Sequence, residues 1–230
     1  MENNKSLDYN DLELICIIVN FNMGSKAIKI AKRNNVSGGT IFLGRGTVKN
    51  KLLEVLDLSE ARKEIVFMIA DRTTVYRALD VLNKELGLHK PNHGIAFTIP
   101  VVSIIGSHNY PNQNIKENKG NIKENKGEED SMYQAIFTIV DRGNAEDVID
   151  AAKKGGARGG TIIHARGSGI HETQTLFSMP IEPEKEIALI VCNSTQTESI
   201  VSSIKNHIHI DEPGKGIIFV INVNKAYGLY

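Results

Sequence analysis

Gly38-Gly39-Thr40-Ile41 returns as Gly159-Gly160-Thr161-Ile162, and Arg45-Gly46 returns as Arg166-Gly167, both at a spacing of 121 residues. At that spacing the window 15–46 holds 12 identities in 32 positions. Further along, Lys63-Glu64-Ile65 returns as Lys185-Glu186-Ile187, and Gly94-Ile95 with Phe97 returns as Gly216-Ile217 with Phe219, now at 122 residues. Solenoid repeats run to ~20–50 residues. A near-constant spacing over a much longer stretch marks two copies of one domain instead. The organisation read from it is a tail at 1–12, a module at 13–106, a linker at 107–131 and a second module at 132–230. Asn114-Ile-Lys-Glu-Asn-Lys-Gly120 is followed at once by the same heptapeptide, a polar low-complexity run that reads as a solvated linker.

Each copy has the same order of elements. Apolar β-type runs at 14–19 and 135–140 come first. Helical periodicity follows at 24–34 and 145–154, and Gly38-Gly39 and Gly159-Gly160 are read as the punctuation that ends those helices. Second strands are predicted at 40–45 and 161–166, long polar loops next, third strands at 64–70 and 186–192, second helices at 74–86 and 196–206, and last strands at 94–102 and 216–223. Thr195 with Glu198 reads as a capping box. The pattern βαββαβ, twice, predicts an α+β fold of two tandem ferredoxin-like modules. With helices on one face of each sheet, the other face must be covered, and self-association is the usual way.

Composition narrows the function. Lys+Arg and Asp+Glu are both 27, so no net field draws the chain to nucleic acid or an anionic membrane. Hydrophobic residues make up 41% and charged ones 23%, a globular balance. No apolar run approaches the ~20 residues of a membrane span, and the polar N-terminus reads as neither a signal nor a transit peptide. Cys16 and Cys192 are the only cysteines, each in a β-type run, which favours a reducing cytoplasm over a disulfide scaffold. With 6% aromatics and no Trp, the core is expected to be mostly aliphatic.

Three stretches carry a resemblance to a known family. Gly159-Gly-Thr-Ile-Ile-His-Ala-Arg-Gly-Ser-Gly169 resembles the second strand of the PII signal-transduction proteins. The loop into Pro183-Glu-Lys-Glu-Ile-Ala-Leu-Ile-Val191 is placed like their T-loop and third strand. Glu212-Pro-Gly-Lys-Gly-Ile-Ile-Phe-Val-Ile221 resembles their B-loop and last strand. The resemblance implies a regulator that binds an adenine nucleotide (ATP or ADP) or another small anion between modules and acts on a target protein, with nitrogen metabolism as the setting. It also implies a homotrimer, here of tandem chains. Glycines suit such a site because backbone N–H groups must come close to phosphates. The residues implied are Gly160, Thr161, Arg166, Gly167, Gly169, His171, Gly214, Lys215 and Gly216, with a weaker set in copy one of Thr40, Arg45, Gly46 and Gly94. Segments 47–62 and 168–182 are the implied target-binding loops. Where the family carries lysines before the third strand, this chain has Glu184 and Glu186, and Ile217 stands where the family's last B-loop lysine would be.

Two alternatives remain beside this reading. The glycines serve turns alone, and the chain is then a ligand-free interaction scaffold. His207, His209 and Asp211 have strand-like alternation compatible with a metal, although an exposed edge or turn is the plainer reading. Ser–His–Asp, HExxH and Walker spacings are absent from the sequence, so no catalytic role is expected.

Overall fold

The structure is a computed structural model and describes residues 12–47, 60–106, 132–168, 174–176 and 179–226. The linker at 107–131 and most of the two long loops, with Gly169 and His171, lie outside them.

The first module runs β1 (Leu12–Asn20), α1 (Gly24–Lys32), β2 (Gly39–Thr47), β3 (Glu60–Asp71), α2 (Arg72–Leu86) and β4 (Gly94–Pro100), then the short β5 (Ser103–Ile105). The second runs β6 (Tyr133–Asp141), α3 (Ala145–Lys154), β7 (Thr161–Ser168), β8 (Gln174–Leu176), β9 (Met179–Ile181), β10 (Glu184–Asn193), α4 (Ser194–Ile208) and β11 (Ile217–Val223). Within the modules the strand orders are β4-β1-β3-β2 and β7-β10-β6-β11, the same ferredoxin-like arrangement twice. The α+β class and the duplicated βαββαβ order read from the sequence are both present. β8 and β9 pair as a small separate hairpin inside the predicted loop of copy two.

The helices form where the sequence places an apolar stripe. In α2, Val75, Ala78, Leu82 and Leu86 recur at i+3 and i+4 and are all buried. Asp71 caps this helix by accepting from the Thr74 N–H at 2.9 Å, and Gly87 ends it in the left-handed region at φ 66°. At α4 the cap is Asn193, whose side chain accepts from the Thr195 N–H at 3.0 Å, so the capping box centred on Thr195 shifts two residues back. Helix α3 ends at Gly155-Gly156, and α1 ends at Arg33. Gly39 and Gly160 therefore do not stop helices. A Cβ on Gly39 would stand 2.7 Å from Met68 Cγ, and one on Gly160 would stand 2.5 Å from Ile149 Cδ1, so both glycines let a helix settle onto its sheet.

Among the described residues the two modules share one nine-stranded sheet, ordered β4-β1-β3-β2-β7-β10-β6-β11-β5. They join edge to edge through β2 and β7, antiparallel, with Gly39 opposite Ser168, Thr40 opposite Gly167, Ile41 opposite Arg166 and Phe42 opposite Ala165. The sheet cannot be flat. Its end strands β4 and β5 are separated in sequence only by Val101 and Val102, a reach of ~7 Å per pair of residues, whereas eight flat strand spacings would put them ~38 Å apart. The Val101 N–H still bonds Leu12 O of β1 at 2.9 Å, and the Val102 N–H already bonds Val220 O of β11 at 2.8 Å. The sheet therefore curls until its ends meet.

This curl solves the problem of the uncovered face. On β1, Ile15, Ile17 and Val19 face the helices of their own module, while Leu12 and Leu14 face inward. The inner cluster joins Leu12, Leu14 and Ile104 from the first half to Ile139, Ile187 and Phe219 from the second. Phe67 meets Phe137 and Phe219 edge-on, with centroids 5.9 and 6.5 Å apart, and Phe137 stacks on Phe219 at 4.9 Å. The chain is poor in aromatics, yet it concentrates phenylalanines where the two copies touch. Each copy covers the other within one chain.

Candidate functional site

Arg166 stands at the seam. Its Nη2 lies 2.8 Å from Glu64 Oε1 of the first module, and its Nε lies 2.9 Å from Glu182 Oε2. Glu64 is fully buried, and its other oxygen accepts the Gly24 N–H at 2.6 Å. Met23, the residue before α1, offers no side-chain cap, so a strand carboxylate caps the helix from across the core. The second module repeats the device: Glu186 Oε2 accepts from Gly143 N–H at 3.0 Å and Ala145 N–H at 3.2 Å at the start of α3. Glu64 and Glu186 are the equivalent residues of the Lys-Glu-Ile repeat. The acid at 186 thus has a structural use independent of any anion site. The repeat was the sequence signal for both residues. Burial of the charge was what the sequence did not disclose.

The residues implied by the resemblance are distributed as follows. Gly167 is buried in the seam, where a Cβ would stand 2.5 Å from Gly39 O, and its N–H bonds Pro183 O at 3.0 Å. Thr40, opposite it, is also buried. Thr161 is exposed at the start of β7, and Gly160 packs under Ile149. Arg45 and Gly46 belong to β2. Gly94 and Gly216 hold matching places at the start of the last strand of each module: φ is 137° and 134°, and a Cβ would stand 2.4 Å from Ile18 O and 2.3 Å from Ile139 O. Gly214 differs from these. It lies at φ 81° with nothing within 4 Å of a Cβ, and Lys215 beside it is half-exposed, 3.9 Å from Glu212.

The structure brings Arg166, Gly167 and Thr40 together at the seam. It does not bring them to the Gly214–Gly216 turn of the same module, because β10 and β6 intervene between β7 and β11; three strand spacings amount to ~14 Å. Gly94 of the other module is likewise separated from Gly167 by β2, β3 and β1.

Elsewhere, Glu13 is buried beside Arg72, whose Nε donates to Glu13 Oε1 at 2.7 Å, and Tyr76 Oη donates to the same oxygen at 3.1 Å. Burial alone would raise the Glu13 pKa, but Arg72, Thr98 and Tyr76 together hold it below the ordinary value. Burial pushes the Cys16 thiol up to about 11 and raises Cys192 as well. His207 closes the last turn of α4, and His209 is its left-handed C-cap at φ 53°, so the strand-like alternation is absent. Among the described residues, no group of three or more His, Cys, Asp or Glu is placed to hold a metal, and no helix is long and apolar enough to cross a membrane.

Residues 133–229 match the family described as nitrogen regulatory protein P-II. Among solved structures, the PII protein of Arabidopsis thaliana bound to citrate is 29% identical, covering 41% of this chain and 77% of that one, with a TM-score of 0.31. GlnK of B. subtilis is 20% identical over 40% of this chain and 84% of its own, with the same TM-score. A microcompartments protein of Desulfitobacterium hafniense DCB covers 93% of this chain and 96% of its own at 13% identity, with a TM-score of 0.27. No curated protein matches. Residues 133–229, the second module, are thus similar to the P-II family, and the first module repeats the same order of elements.

Proposed function

We propose that this chain is a PII-like cytoplasmic regulator that acts by binding, not catalysis. Its ligand is a small anion, with ATP or ADP as the first candidate, and its target is a protein met through segments 47–62 and 168–182. Nitrogen metabolism is the setting to which the family description points. The observation that carries the reading is the P-II match over residues 133–229. Gly214 adds to it: a positive φ with open space before it leaves room for an anion at the turn, next to the Lys215 ammonium. A complete cradle at Gly167 requires its bond to Pro183 O to open, and a phosphate at Arg166 has to compete with Glu64 and Glu182. A trimer of chains would use outer surfaces, since the helix-free faces are already buried on each other.

The engagement of Gly167 and Arg166 within the seam favours a second reading, a scaffold that keeps the fold without a ligand. Calorimetry with ATP, ADP and AMP, on the natural chain and on Gly214→Val, separates the two. Saturable heat with a nucleotide, weakened at least tenfold in the variant, is expected for the regulator. No heat with any of the three leaves the scaffold.

A further inference from the structure

The seam between the modules is zipped over half its length. Residues 39–42 of β2 pair with 165–168 of β7. The 121-residue spacing of the repeat carries each of these pairs onto a second one. Gly39–Ser168 becomes Gly160–Thr47, and Thr40–Gly167 becomes Thr161–Gly46. Ile41–Arg166 becomes Ile162–Arg45, and Phe42–Ala165 becomes Ile163–Gly44. The two sets share one continuous register about Leu43 and His164. Among the described residues the second set is not bonded, although both strands run through it. β3 holds β2 as far as Thr47 opposite Glu60, and β10 holds β7 from Thr161 opposite Leu189.

Exposure records the difference. Ile41 in the zipped half is 1% exposed, whereas its equivalent Ile162 is 36% exposed. Thr40 is buried and its equivalent Thr161 is exposed. Glu64 is fully buried under Arg166, whereas Oε1 of its equivalent Glu186 lies 3.6 Å from Nδ1 of His164, an exposed side chain. The chemistry of the zipped half is nonetheless present in the other half. Gly39, Thr40, Ile41, Glu64, Arg166 and Gly167 have the identical equivalents Gly160, Thr161, Ile162, Glu186, Arg45 and Gly46. Gly167 matters most, because a Cβ on it would stand 2.5 Å from Gly39 O. Gly46 keeps the same freedom for an approach to Gly160. Two facing strand edges with unmet backbone groups and an apolar side chain between them favour pairing.

We propose that this second half is a closing device, in which residues 44–47 zip onto 160–163 in the register above. The zipped half shows the geometry that closure reaches. Closure covers Thr161 and Ile162 as Thr40 and Ile41 are covered now. One consequence rests on the regulator reading, which puts Thr161 at the ligand: the open half admits the ligand and the closed half excludes it.

The test uses the full chain with Cys16→Ala and Cys192→Ala. Arg45→Cys and Ile162→Cys, opposite each other in the proposed register, form a disulfide within one molecule on mild oxidation. Moving the second cysteine to the other face of β7, as Ile163→Cys, slows this at least tenfold. Adding Gly46→Ala to the first pair slows it as much. No disulfide within one molecule, equal rates at 162 and 163, or no effect of Gly46→Ala overturns the proposal. A second measurement needs no cysteine variant. In the natural chain, NMR relaxation dispersion shows millisecond exchange at the amides of 161–163, and Gly46→Ala removes it; flat profiles in the natural chain overturn the closure. Saturating ATP slows the first disulfide if the nucleotide sits at Thr161. A disulfide that forms in the proposed register at the same rate with ATP supports the closure and removes the nucleotide from Thr161, so the two readings fail separately.

Discussion

Arg166 of the second module and Glu64 of the first lie 2.8 Å apart across the seam, and the same Glu64 holds the first amide of α1. One buried carboxylate thus ties a helix start, two strands and two modules together. Removing one partner of a buried pair costs ~3–5 kcal/mol because the other is left uncompensated. About a third of the Arg166 side chain remains in water, so Arg166→Met is expected to cost less, roughly 2 kcal/mol in urea unfolding. Adding Glu64→Gln removes the stranded charge, and the double variant should lose clearly less than the sum of the singles.

The glycines rank by what surrounds them. Gly216→Ala meets Ile139 O at a positive φ and should be the most damaging. Gly167→Ala meets Gly39 O and should follow. Gly214→Ala meets open space and carries only the left-handed penalty of ~1–2 kcal/mol. Thermal unfolding of the three variants reads the order directly.

The Cys16 thiol, pushed up to about 11 from 9.0, stays protonated in the fold after an unfolded chain has begun to ionise. The folded state then binds more protons above pH 9, so its contribution is full below 9 and is lost as pH rises towards 11. Cys16→Ala should flatten this alkaline loss in unfolding measured at several pH values. In the native protein at pH 8, thiol reagents should label Cys16 far more slowly than in urea.

Glu13 has the opposite sign. Its folded pKa lies below the ordinary value, so its contribution is present at neutral pH and is lost as acid protonates the carboxylate. Arg72→Met weakens that hold and should move the acid unfolding midpoint to higher pH.

The repeat was legible because identities at 121 and 122 residues survive in strands and turns, and from it followed both modules and most element bounds. Which edges would meet was not legible. A βαββαβ unit has two edges and one bare face, and nothing in the local pattern of β2 or β7 says that Gly39 will pair with Ser168. Glycine roles were also ambiguous for a physical reason. A residue without a Cβ admits a phosphate or a neighbouring strand equally well, and at Gly160, Gly167 and Gly216 the occupant is Ile149, Gly39 and Ile139. Glu186 looked like a lost cation of an anion site, whereas its carboxylate caps α3.

The account rests on the two copies meeting within one chain, and isotope-filtered NMR tests this directly. Chains labelled throughout should show cross-strand proton contacts between Thr40 and Gly167 and between Phe219 and Ile104. In a mixture of labelled and unlabelled chains, refolded together, the account predicts no contact of this kind between molecules. Contacts that appear only between molecules, or none at either pair, would contradict it.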